Sequence, residues 1–191
     1  MQYTQNSVYN PSLFLSGQDH DKQDFCADRL CEQFNLEFAH NLPRHSDSAG
    51  VDSMPTYLIG GASEPIYLPH SVNVHDYLME LDPIQRERSL SNTQNEGLGD
   101  KISWLGKTPL STLPDGNKIF FTRDYFASAL HEVAHWCIAG EERRAKVDYD
   151  YWYAPDGRNA QQQECFEQAE LKPQALEWAF SLACNKPFKV S

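Results

Sequence analysis

The chain has 191 residues, 40% of them hydrophobic, a length close to that of one domain and sufficient to bury a core. Its 27 acidic residues against 16 basic ones leave a formal charge of −11, which repels phosphate backbones and anionic lipid headgroups and so disfavours nucleic acid and membrane surfaces as partners. No run approaches the roughly 20 apolar residues of a membrane helix, no leader pattern opens the chain, and the five cysteines follow no framework spacing, which together point to the cytoplasm.

Residues 1–23 carry no sustained period and read as an irregular N-terminal arm ahead of a single catalytic domain over 24–191. Within 24–38, Cys26, Leu30, Phe34 and Phe38 recur every four residues, which predicts a helix with one apolar stripe. The Pro, Ser, Asp and Gly of 41–53 predict a loop. Short strands are expected at 56–59 and 65–68, and the Gly60-Gly61 pair between them suits a hairpin-like reversal. The stretch 70–116 has no strong period and reads as an insertion, with one short helix near 75–88.

Residues 118–122 are a short apolar run, expected to be a buried strand. A helix follows, with Asp124 as N-cap, Phe126, Leu130, Val133 and Ile138 as its apolar positions, and Gly140 as C-cap. The aromatic segment VDYDYWYA (147–154) predicts a strand closed by Pro155-Asp156-Gly157. A second long helix begins near Asn159, with apolar positions Phe166, Ala169, Leu176, Phe180 and Ala183; Pro173 should kink or restart it.

The chemistry concentrates in His131-Glu132-Val133-Ala134-His135. On a helix, residues i and i+4 share a face about 5 to 6 Å apart, so two imidazoles at this spacing hold one metal ion. Catalytic metals take a third protein ligand and keep a position open. The second helix offers Glu164, Glu167, Glu170 and Glu177; Glu170, just before Pro173, is the first choice and Glu167 the second. Tyr151 and Trp152 are candidates for a substrate wall, and Asp156 with Arg158 for a binding turn, although core aromatics and an ordinary salt-bridged turn give the same pattern. By motif alone the chain reads as a zinc hydrolase in which Glu132 is the base.

The blocks SEPIYLP (63–69), YFASALHEVAHWCIAG (125–140), DYDYWYAPDGR (148–158) and FEQAELKPQALEWAF (166–180) change that default. In wording and order they resemble the elongation factor P hydroxylases, from about residue 24 to 191 apart from 70–116. The resemblance implies an α/β chain of the α+β type. A small mixed sheet would pack on helices around a central HExxH helix, as in a metal-dependent endoribonuclease. It implies a mononuclear non-haem Fe(II) site on His131, His135 and Glu170, with dioxygen as co-substrate; zinc, the metal the motif alone suggests, is the alternative. The implied partner is elongation factor P carrying a β-lysyl-lysine, which the enzyme hydroxylates. Glu132 would then orient a ligand histidine instead of serving as base.

Two departures stand out: Asp150 occupies a place where glycine is expected, and the chain ends at Val190-Ser191 where a further helical segment is expected. An interaction protein with a structural or lost metal is the third reading.

Overall fold

The computed structural model describes residues 26–40, 54–80, 105, 108–151 and 158–190. The N-terminal arm and the loop at 41–53 lie outside them. Helix α1 (Ala27–Asn35) runs into one wider turn at Leu36–His40. The four-residue apolar recurrence works as expected here: the Phe34 and Phe38 rings stand 4.6 Å apart, and both meet Trp136 edge-on. Asn35 fixes the helix to the sheet by accepting the Leu58 N–H at 2.7 Å.

The sheet has three strands, β1 (Thr56–Ala62), β2 (Ile66–Leu68) and β3 (Asn117–Thr122), in the order β1-β3-β2. Strand β3 runs parallel to β1 and antiparallel to β2, making the sheet mixed. The expected β1–β2 hairpin is therefore absent among the described residues. Strand β3 is buried from Asn117 through Phe121, so it takes the centre, where both edges and both faces are covered. Gly60 and Gly61 continue β1 instead of closing it. A Cβ on Gly60 would lie 2.7 Å from Cζ of Phe121, while Gly61 adopts φ +88 where the register shifts between Ile59 and Ala62. The pair makes a bulge, not a turn.

Helix α2 (Val74–Glu80) lies within the expected 75–88 helix apart from one residue at its start, and 81–88 fall outside the described residues. Val74, Leu78 and Leu105 join Leu68 and Phe120 in a buried cluster, so parts of the 70–116 segment contribute to the core. Helix α3 (Phe126–Ile138) starts after Tyr125, and Asp124 does not cap it. Ser128 Oγ instead accepts the Thr122 N–H at 3.0 Å, joining the helix to the end of β3. Gly140 does not close α3 in a left-handed cap either: at φ −77 it opens the short helix α4 (Glu141–Arg144).

Over Val147–Asp150 the expected aromatic strand is a 3-10 turn, and 152–157 lie outside the described residues. Asp148, Tyr149 and Asp150 have φ of 47, 58 and 62, a run incompatible with a strand. The aromatic alternation that suggested a strand instead serves packing: the fully buried Tyr149 ring stacks on Tyr67 of β2 at 4.4 Å. Asp150, where glycine was expected, sits in the conformation glycine adopts most easily.

Helix α5 (Ala160–Ala183) opens with a capping box in which the Asn159 and Gln162 side chains each bind the other's backbone N–H. It runs through Pro173 without a break. The expected apolar stripe is only partly buried: Phe166, Ala169, Leu176 and Phe180 are half-buried, Phe180 against the core, and Ala183 is exposed. Glu170, Pro173, Glu177 and Ser181 are buried, whereas Leu171, Trp178 and Leu182 are exposed. The face turned to α3 is polar because it meets the two histidines there.

The close approach at Gly60 gives the first test. Gly60→Ala should lower stability by about 1–3 kcal/mol through overpacking against Phe121, read as a drop in the urea midpoint. An unchanged midpoint would mean that the ring moves aside at no cost.

Candidate metal centre

Helix α3 carries His131 and His135 one turn apart, and α5 lies across it. Nε2 of the two histidines are 3.0 Å apart. Glu170 faces both, with one carboxylate oxygen 3.1 Å from His131 Nε2 and the other 3.5 Å from His135 Nε2. One ligand atom from each of His131, His135 and Glu170 falls within 4.8 Å of the others. Among the described residues, no other His/Cys/Asp/Glu group converges in this way. Glu167 is exposed and accepts a hydrogen bond from Gln163 at 2.9 Å, so the second choice for third ligand points away from the cluster.

The second nitrogen of His131, Nδ1, lies 3.0 Å from Glu177 Oε2. Glu177 stood in the sequence as one of four glutamates on α5 and was not singled out. The signal that finds it is spacing: Glu170 and Glu177 are seven residues apart, two helical turns, so a face that presents one presents the other. His135 is held differently. The Tyr149 ring lies parallel to it at 6.3 Å, and Tyr151 meets it edge-on at 5.8 Å.

Among the candidate substrate residues, Tyr151 therefore borders the cluster; its hydroxyl accepts from Arg143 at 2.9 Å, and the guanidinium covers its ring. Arg158 stacks over Phe166 at 3.9 Å near the start of α5. Trp152 and Asp156 lie outside the described residues.

Burial and charge act strongly on these groups. Burial alone would lower the His131 pKa, but hydrogen bonds to Glu170 and Glu177 outweigh it and push the imidazole up to about 10. Burial opposes the charge of Glu170 too, yet its two histidine contacts hold the carboxyl well below the usual carboxylate range. Glu132, 6% exposed, is pushed up to about 8 chiefly by burial, with Asp148, Glu170 and Glu177 adding to the rise and His131 opposing it. Asp148 is raised to about 6, again mainly by burial.

Comparison with known sequences bears on the same elements. The family model described as elongation factor P hydroxylase matches residues 93–191, more than half of the chain and all of α3 and α5. The chain belongs to the elongation factor P hydroxylase family. The match starts inside the 70–116 segment and continues through the rest of the chain. A curated relative from Haemophilus influenzae, named Elongation factor P lysine hydroxylase, is 55% identical over 69 residues, which are 36% of this chain and 39% of the relative. The aligned region thus spans about two fifths of that relative's length.

The raised His131 pKa gives a signed expectation. Raised from 6.5 to about 10, it adds stability to the metal-free chain that is fully present below pH 6.5 and lost as pH rises through 10. The raised Glu132 acts in the same direction between 4.5 and about 8. At pH 7 an incoming metal ion must displace the His131 proton, so binding should release about one proton per ion and tighten as pH rises. Calorimetry in buffers of different ionisation enthalpy measures this directly. Heats that do not vary with the buffer would show that His131 enters the complex already neutral.

Proposed function

We propose that this chain is a cytoplasmic non-haem iron enzyme that hydroxylates the β-lysylated lysine of elongation factor P. The observation that carries the reading is the convergence of two imidazole nitrogens and one buried carboxylate within 4.8 Å, on two helices that lie inside the family match. This donor set fits a divalent metal such as Fe(II): two imidazoles and a carboxylate are the ligands that keep neighbouring coordination positions open. His131, His135 and Glu170 would hold the ion. When bound, ferrous iron supplies the redox chemistry by which dioxygen is used to oxidise a C–H bond.

The remaining tasks fall to the chain itself. Tyr149 and Tyr151 wall the His135 side with aromatic surface, which limits water there. Glu132, buried beside the cluster and raised to about 8, keeps its proton at neutral pH in the metal-free state. The net charge of −11 favours approach of a substrate that presents an ammonium group. Trp152, Asp156 and Arg158 belong to the same reading as substrate-contacting residues. No helix among the described residues is long and apolar enough to cross a membrane, in keeping with a diffusible protein substrate.

The decisive assay is the mass of β-lysylated elongation factor P after incubation with anaerobically reconstituted iron protein and then air and a reductant. A gain of one oxygen atom is expected, and it should disappear in His131→Ala/His135→Ala. Unchanged substrate mass with fully iron-loaded protein would sink the proposal.

The HExxH spacing by itself favours a second reading, a zinc hydrolase using Glu132 as base. Glu132→Gln separates the two. In the hydroxylase it should leave metal stoichiometry intact and permit residual oxygen insertion, whereas in the hydrolase it should abolish zinc-dependent peptide cleavage.

A further inference from the structure

We propose that Glu177 is a positioning residue that sets the tautomer and the orientation of His131. The inference rests on the metal reading above and deepens it. An imidazole offers a metal one nitrogen, and the other must be satisfied elsewhere. In His131 the assignment is fixed by place: Nε2 faces His135 Nε2 and Glu170, while Nδ1 faces Glu177 Oε2 at 3.0 Å. With the Nδ1 proton given to Glu177, the Nε2 lone pair is left for the ion.

Two asymmetries make this contact consequential. First, the two histidines are held by different means. The His135 side chain is 7% exposed and lies between Tyr149 and Tyr151, so packing restrains its ring. The His131 side chain is 20% exposed, and its ring is anchored through the contact at Nδ1.

Second, Glu177 is itself only 7% exposed, and a buried carboxylate requires a partner. That partner is on α3, so the pair also fixes the rotation of α5 that delivers Glu170. A carboxylate behind a metal-binding imidazole raises its basicity as a ligand, and losing it typically costs 10–100-fold in metal affinity.

The test uses the full chain and metal binding, independent of turnover. Zn(II) and Co(II) are titrated into the parent, Glu177→Ala, Glu177→Gln and His131→Ala/His135→Ala. The Nδ1–H of His131 is followed by nitrogen-detected histidine NMR in the zinc-loaded proteins. Glu177→Ala should bind roughly 10–100-fold more weakly and lose exchange protection of the Nδ1 proton. Glu177→Gln should recover most of both, because its amide oxygen still accepts from Nδ1 and its shape preserves the fold.

Parental affinity in Glu177→Ala, with binding lost in the double histidine variant, would overturn the positioning role alone. Loss as complete as in the double variant, unrescued by glutamine, would overturn it as well by making Glu177 a ligand. Retained binding in the double variant would overturn the metal reading and the inference together.

Discussion

The packing of α5 on α3 depends on buried charge being answered by buried charge. Two histidines on one helix meet two glutamates on the other, and neither set tolerates burial alone. This explains why Glu170 and Glu177 are the buried side chains of α5 while Leu171, Trp178 and Leu182 are exposed and Phe180 reaches the core only in part. The polar seam costs stability that a leucine seam would have supplied, and that cost is characteristic of a site retained for its chemistry.

The sheet and the turn at 147–150 serve this seam from opposite sides. Strand β3 ends at Thr122, and Ser128 joins that end to the first turn of α3, so the histidines are fixed relative to the sheet by a short connection. The turn then brings Tyr149 over His135 while stacking the same ring on Tyr67 of β2. One tyrosine therefore couples strand, turn and ligand. Its three left-handed residues are a local conformational cost, offset by the burial of that ring.

Much of the centre was legible because helical spacing is a local property. His131 and His135 could be paired from five residues of sequence, whereas Glu170 was reached through an expected break at Pro173 that the helix does not have. Glu177 was not found because an isolated glutamate on a helix reads as solvated; only a known orientation of Glu170 turns a seven-residue interval into a prediction.

The errors in the fold have non-local causes. Gly60-Gly61 looked like a reversal because β3, which separates β1 from β2, comes from more than fifty residues later in the chain. The aromatic alternation at 147–151 looked like a strand because packing on a tyrosine and pairing in a sheet ask for the same residues. The continuity of α5 through Pro173 is tertiary as well: that residue is buried in the seam, where contacts on both sides hold the helix together.

The interval between Glu170 and Glu177 also bears on how this chain tolerates change. A residue added or removed within it would rotate everything beyond by about 100°, leaving one carboxylate on the histidines and sending the other into solvent. Substitutions along the outer face of α5 meet no such constraint. The helix therefore acts as a ruler. Its length between the two glutamates sets which carboxylates reach the histidines.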